Sequence, residues 1–395
     1  MKRASCVLLW FLSLIVVAAP DAALHAQAST NRLPVITGNG LVNVLVEVDG
    51  SVKTWGDPAA MDPSVSLGDG VKPSATPEVK RPRLLPGVTG VASASVSVSH
   101  ALLLKRDGTI LAWGDNDTCQ LGNGTEKGSN LPQPVLGIRS AIEVATGEGI
   151  SAALLSDGTV WVWGDVGGLL GNGTAEKHLC AKVPVKVEGV SGAKHLALDG
   201  DSALVLRDDR TVWAWGSNDR GAFCDGTKEP RLRPAPVKAV ANVVDVSLYG
   251  NSIFVLADGT VRMCGKNEDG ALGDPAPSVK EHLTPFQVPG LTNVRSARTY
   301  LDTTTVQLND ATLRAWGLGW YGALGDGHGD TSSARPRAPI GLGPVLAHYV
   351  SRAASYAIRA DGTVMVWAVP APPGGKTEFV LTPAPAPFTV VLEAR

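Results

Sequence analysis

The chain has 395 residues, with 35 Lys and Arg against 37 Asp and Glu and a formal net charge of −2. That balance excludes the basic footprint of a general nucleic-acid or anionic-membrane binder. With 45 Gly, 27 Pro and 44% hydrophobic residues but only 18% charged, the composition suits many short strands joined by turns and not a helical bundle.

The chain begins with a basic pair, Lys2-Arg3, followed by an apolar run from Cys6 to Ala19 and a small-x-small site at Ala26-Gln27-Ala28. This pattern predicts a cleaved signal peptide over residues 1–28 and an exported protein: periplasmic, cell-surface or extracellular. The apolar run is short of the roughly 20 residues that span a bilayer, so no stable membrane insertion is expected after cleavage. Export leaves Cys119, Cys180, Cys224 and Cys264 in the mature chain. Four cysteines in an oxidising compartment permit two disulfides in three connectivities, or free and partly buried thiols.

From residue 35 onward one unit recurs. An Asp at a predicted hairpin tip is followed six residues later by Trp-Gly or a worn version of it: Asp49…Trp55-Gly56, Asp107…Trp113-Gly114, Asp157…Trp163-Gly164, Asp209…Trp215-Gly216, Asp258…Cys264-Gly265, Asp310…Trp316-Gly317 and Asp361…Trp367-Ala368. Steps of 58, 50, 52, 49, 52 and 51 residues separate the Asp positions. A fixed period near fifty means one supersecondary unit copied along an array. Within a unit, Ser99–Leu104 reads as an apolar strand, Asp107-Gly108 as a tight turn and Thr109–Trp113 as the returning strand. A Leu-Gly turn follows at Leu121-Gly122, then a Pro-led strand at Pro132–Val135.

Each unit supplies about four short strands, one blade of a propeller. The motif Trp wedges between neighbouring sheets, Asp makes the turn, and Cys264 and Ala368 read as worn scaffold positions. The first unit lacks the Pro-led strand, and the C-terminal Pro383–Leu392 supplies one. That predicts a last blade completed from both termini, removing the exposed edges of an open array. The fold class is therefore all-β: a seven-bladed β-propeller of four-stranded blades, one domain over 29–395, its ring closed by strands from both termini.

Trp-Gly-x-Asn (Trp113–Asn116, Trp215–Asn218, with Cys264–Asn267 as a variant), Gly-x-Leu-Gly (Gly270–Gly273, Gly322–Gly325) and Asp-Gly-x-Val-x-x-Trp-Gly together resemble the repeat of the regulator of chromosome condensation family. The resemblance covers the chain from about residue 35 to its end and implies that family's seven-bladed ring. The family's nucleotide exchange on a nuclear GTPase is not expected here, since an exported chain meets no such GTPase and no exchange residues match. Related exported bacterial propellers bind a protein through one face of the ring, an analogy of fold alone.

Catalytic signals are sparse. Gly317–Gly322 spells a dinucleotide fingerprint, but the repeat's own turn follows it where the fingerprint needs a helix. Asp326–Asp330 reads as a solvated loop and not a metal site. Three Asn-x-Thr sequons, at Asn116, Asn123 and Asn172, arise from turn chemistry. The expectation is no catalytic residue, no metal and no cofactor.

Specificity in repeat proteins sits on non-repeating loop positions, so the candidate partner-binding residues are Lys177, His178, Arg231, Arg233, Trp320, Tyr321 and His328. The sequence reads as an exported, non-catalytic, monomeric propeller that binds a protein and no nucleic acid through loops on one face. Its rivals are a polysaccharide- or peptide-acting enzyme with a site at the central channel, and a structural envelope or adhesion module.

Overall fold

The structure, a computed structural model, describes residues 33–38, 42–56, 66–71, 79–174, 180–276, 278–300, 302–350, 355–368, 379–390 and 392. The signal-peptide segment lies outside the described residues. Seven four-stranded antiparallel sheets follow one another, each with strands in sequence order. We number these blades 1 to 7. Blade 2 is typical: Val91–Val96, His100–Lys105, Ile110–Gly114 and Ser129–Pro134. No helix among the described residues is long and apolar enough to cross a membrane.

The first strand of each blade lines one central cavity, to which all seven contribute. They are Val35–Gly38, Val91–Val96, Ala141–Thr146, Ala193–Asp199, Val243–Tyr249, Val294–Tyr300 and Ala347–Val350. Because strands alternate in direction, the two ends of the ring differ. One end, the turn face, carries the Asp turns and the links between blades. The other, the loop face, carries the turn from first to second strand and the long loop from third to fourth.

The Asp turns have the same chemistry throughout. Asp107 Oδ1 accepts from both the backbone N–H and the hydroxyl of Thr109, and Asp157, Asp209, Asp258 and Asp310 do the same with their own Thr. Those two hydrogen bonds, the hydroxyl's first, hold the Asp107 carboxyl below its ordinary range. Gly108 takes φ 77° with the backbone of Arg139 and Ser140 against it, where a β-carbon would not fit. Blades 4 and 6 place Arg210 (φ 64°) and Ala311 (φ 66°) in that left-handed position instead.

The motif tryptophans join blades, as the repeat pattern predicts. Trp113, Trp163, Trp215, Trp316 and Trp367 are almost wholly buried. Each donates its indole N–H to a carbonyl of the preceding blade's Gly-x-Leu-Gly turn or its equivalent: Ser66, Gln120, Leu169, Ala271 and Ala323, at 2.9–3.0 Å. The motif Asn organises the loop beneath. Asn116, Asn218 and Asn267 accept through Oδ1 from the N–H of Leu121, Phe223 and Leu272. Asn116 is fully buried in this role, so its sequon is closed to a glycan.

Two expectations are corrected. The last blade is not completed from both termini. Val35–Gly38 opens blade 1, and the Pro-rich Ala384–Thr389 is the outer strand of blade 7, each paired only within its own sheet. Seven complete blades need no shared sheet, and the ring closes by packing: Trp55 of blade 1 sits edge-on against Tyr356 and Phe388 of blade 7. Tyr349 donates its hydroxyl to Gly38 O across the same seam.

Nor is Cys264 worn scaffold. It is bonded to Cys224, and Cys119 to Cys180, each pair with Cα atoms 5.5 Å apart. Both bridges cross between neighbouring blades, 4 to 5 and 2 to 3. Cys224 replaces the second Gly of Gly-x-Leu-Gly, the residue whose equivalents Gly68, Gly122, Gly273 and Gly325 touch the next blade's Trp. Cys264 replaces that Trp. Glycine and indole have thus changed together into a covalent link across the same seam. Cys119 stands at the first Gly of the same turn, where Gly221 and Gly270 press on the next blade's outer strand. Positive φ at Cys119 (69°) and Cys224 (56°) preserves the glycine geometry.

Candidate functional site

The central cavity, about 490 Å³, is lined by polar and aromatic side chains interspersed with aliphatic ones. First strands are edge strands, so their outward N–H and C=O groups need partners from the next blade. The chain supplies them from side chains. Ser95 Oγ accepts from Thr146 N, Glu143 Oε2 from Leu196 N, Asp199 Oδ2 from Gly250 N, Asp245 Oδ2 from Ala297 N, and Ser247 Oγ from Thr299 N. Each bond runs from one blade to the next, forming a side-chain belt along blades 2 to 6.

His195 completes that belt. Its Nδ1 lies 2.7 Å from Glu143 Oε1 of blade 3 and its Nε2 3.1 Å from Val246 O of blade 5. Asp245 stands 3.8 Å from Nε2 and pairs with Arg298 at 3.1 Å. Burial would lower the imidazole pKa, but the Glu143 and Asp245 carboxylates outweigh it and raise it to about 8. The protonated ring donates from both nitrogens, one to the carboxylate and one to the carbonyl. An acid–base histidine needs a ring nitrogen free to exchange a proton with substrate, and both here are engaged between blades.

His100 and His348 are opposite cases. Burial holds each at about 3, with Arg298 and Arg295 adding to the effect on His348. His100 is wholly enclosed, its Nε2 2.6 Å from Ser151 Oγ, which itself donates to Gln120 O.

At the loop face the channel opens among carboxylates. Burial, foremost, raises the Asp199, Asp201 and Asp302 pKa values. Repulsion from neighbouring acids adds to it: Asp201 and Glu148 on Asp199, Asp219 and Asp165 on Asp201, Glu268 and Asp269 on Asp302. The nearby cations are Arg220, 3.9 Å from Asp302, and Lys266, 3.7 Å from Glu268. Tyr249 and Tyr300 stack inside the mouth with ring centres 4.3 Å apart. On the turn face, by contrast, acids are paired locally, as in Lys105–Asp107 and Arg207–Asp209.

The candidate loop residues fall in separate places. Lys177 and His178 lie outside the described residues. Arg231 is engaged at home: it binds Asp225 at 2.7 Å, reaches Ala235 O and lies over the Phe223 ring. Arg233 is exposed on the same outer strand of blade 4. Trp320, Tyr321 and His328 share one loop of blade 6 on the loop face. Trp320 is 56% and Tyr321 40% exposed, and Tyr321 meets Phe379 at 4.5 Å.

The dinucleotide look-alike forms a three-residue 3-10 turn at Trp320–Gly322. Asp326 is occupied by Arg337 and His328, and not poised over an open loop. One group of donor atoms among the described residues falls within 4.8 Å: Cys119, Glu126 and Cys180. Its two sulfurs are bonded to each other, which withdraws the thiolates a metal would need.

The first strands were the part missed from sequence. Glu143, His195 and Asp245 hold the same register in successive blades, paired with Leu154, Leu206 and Val255 just before each turn Asp. Stacking the repeats on that Asp sets Glu143 and His195 side by side, with Asp245 one position off because the stretch between its paired strands is one residue shorter.

The repeat and its ring can now be set against known proteins. The family model described as the regulator of chromosome condensation (RCC1) repeat matches residues 107–154. The structure of Prp20p from Saccharomyces cerevisiae superposes with a TM-score of 0.72 over 94% of this chain and 90% of that one, at 20% identity. The fold is a seven-bladed propeller like that of Prp20p, and residues 107–154 match the RCC1 repeat. The mouse regulator of chromosome condensation is 25% identical over 323 residues, 73% of this chain and 75% of that protein. Human E3 ubiquitin-protein ligase HERC2 is 28% identical over 287 residues, 68% of this chain. The match spans only 6% of HERC2's length. Prp20p itself binds Gsp1p and histones.

Proposed function

We propose that the protein is an exported propeller that binds a protein partner through its loop face without catalysis. The observation that carries this reading is the asymmetry of the ring. Its turn face repeats one self-satisfied hairpin, whereas its loop face combines an acidic channel mouth with the exposed Trp320 and Tyr321. Exposed aromatic residues beside charge are the composition of interface hot spots. The protein partners named for the Prp20p neighbour are in keeping with such use of the ring, although that likeness itself is one of fold. The two inter-blade disulfides fit an oxidising compartment and so support export.

The channel-enzyme reading draws on the Glu143–His195–Asp245 cluster. It is the weaker one, because these groups already serve as blade-to-blade hydrogen-bond partners. The test is affinity capture from the native medium with the wild-type ring and with Trp320→Ala/Tyr321→Ala. Loss of a stoichiometric protein partner in the variant supports the loop face. Undiminished capture, or turnover of a glycan or peptide library that His195→Gln abolishes, overturns it.

A further inference from the structure

Three features of the channel mouth converge on one kind of ligand. The first is shape: the cavity opens to the loop face and is deep enough to admit a side chain. The second is the wall. Tyr249 and Tyr300 present a stacked aromatic pair, with Asp199 of blade 4 and Glu148 of blade 3 near enough to act on the Tyr249 hydroxyl. Asp201, whose charge acts on Asp199, continues the acidic rim, while Asp302 faces Arg220; the cations that line the cavity, His195 and Arg298, are already paired with Glu143 and Asp245. The third is an unpaired group. Thr299, next to Tyr300, is 7% exposed and lines the cavity, yet its Oγ1 has no hydrogen-bond partner among the described residues.

Acid and aromatic surfaces together are the chemistry that holds an organic cation: the ring faces attract its charge and the carboxylates accept its N–H groups. A metal ion is the poorer occupant. Among the described residues, no set of three mouth carboxylates comes within the 4.8 Å that would let their oxygens share one ion. Hard cations need several oxygen ligands at close range, whereas an ammonium or guanidinium on a flexible stem can be held by spaced groups.

We propose that the channel mouth is a receptor for a lysine or arginine side chain of a basic segment in the protein partner. The cation enters between Tyr300 and Asp199, with Thr299 Oγ1 accepting one of its N–H groups and Glu148 and Asp201 steering it from the rim. This rests on the loop-face reading and names the partner's chemistry. The segment's remaining residues then pass over the loops that carry Trp320 and Tyr321.

The experiment measures binding of a fluorescent alternating arginine–glycine peptide to the intact ring, with a citrulline–glycine peptide as the neutral control. The expected result is a preference for the arginine peptide of about tenfold or more, falling as salt rises. Asp201→Asn with Glu148→Gln removes that preference, and Tyr300→Leu weakens it. Both carboxamide changes are at exposed positions, and the far-ultraviolet spectrum and melting curve verify the fold. Equal binding of the two peptides, or an arginine preference unchanged in the carboxamide variant, overturns the proposal. Capture of the native partner separates the two readings. A partner lost with Trp320→Ala but retained by the carboxamide variant leaves loop-face binding standing and refutes the cation site. A partner indifferent to both sets of changes refutes both.

Discussion

His195 makes stability depend on pH in a direction that can be worked out from its surroundings. Its pKa is raised from an ordinary 6.5 to about 8 because Glu143 and Asp245 overcome the cost of burial. The folded state therefore holds a proton that the unfolded chain gives up earlier. Below pH 6.5 both states carry the proton and the bridge contributes in full. As pH rises from 6.5 through 8 the folded ring must also give it up, and the contribution is lost. A shift of about 1.5 units corresponds to roughly 2 kcal/mol. The side chain is only 15% exposed, so solvent screening takes little from this figure.

Urea unfolding of the wild type and of His195→Gln at intervals from pH 6 to 9 isolates the effect, because glutamine keeps the size and a hydrogen-bonding head but does not titrate. The difference between the two profiles should shrink by about 2 kcal/mol toward pH 9. Parallel profiles would show that folding leaves the His195 pKa unshifted, and a difference that widens with pH that folding lowers it; either result refutes the reasoning. On the acid side, His100 and His348, held at about 3, work in the opposite sense. The unfolded chain gains their protons first, so stability falls as pH drops below 6.5, and the profile peaks near neutrality.

Three further outcomes follow from the scaffold. Replacing Ala311 by Gly relieves a left-handed conformation at an exposed-end turn and should stabilise the ring by about 1 kcal/mol in denaturant melts; a loss instead would contradict the strain argument. Trp316→Ala empties a fully buried indole site and leaves the Ala271 carbonyl with only the longer bond from Thr304, so it should cost about 3–5 kcal/mol; a cost under about 1 kcal/mol would mean that the seam collapses around the gap. Opening the Cys224–Cys264 bridge, which spans 40 residues, should lower stability by about 4 kcal/mol on the chain-entropy view, read as a shift in urea midpoint between the wild type and Cys224→Ser/Cys264→Ser.

The architecture was legible because each motif residue performs one repeated mechanical task. Asp caps its own turn, Asn secures the loop, and Trp reaches back to the preceding blade; none depends on distant context. Closure was misread for a related reason. A Pro-rich segment at the end of the chain looked like a part missing from the beginning, and only the strand pairing shows blade 1 completed by its own fourth strand, Val79–Leu84. The channel belt was hidden more thoroughly. Ser95, Glu143, Asp199 and Asp245 lie on first strands whose sequence pattern is weak, and their partners are backbone amides of the next blade, which carry no side-chain signature. The loop candidates were chosen by departure from the repeat. That criterion chose both Trp320 and Tyr321, which are exposed, and Arg231, which binds its own Asp225.

The coupled change at Cys224 and Cys264 yields a sharper test of why the repeat has the residues it has. If the second Gly of Gly-x-Leu-Gly exists to let the next indole approach, then the two positions form one unit and should tolerate exchange only together. Restoring both, as Cys224→Gly with Cys264→Trp, rebuilds the contact seen between Gly273 and Trp316, whose Nε1 would lie 3.3 Å from an added β-carbon. Ala222 O then becomes the acceptor for the new indole, in place of Ala271 O for Trp316. Ser252 already donates its hydroxyl to that carbonyl, and Thr304 does the same to Ala271 O beside Trp316, so the site has the polar layout of its neighbour. Cys264→Trp alone drives the ring against the Cys224 side chain at a seam with no spare volume, and overpacking of that kind costs about 1–3 kcal/mol. The double variant should recover most of that loss in urea melts under reducing conditions. If the two changes add independently, the glycine is there for its turn alone, and the disulfide did not arise as a substitute for the indole contact.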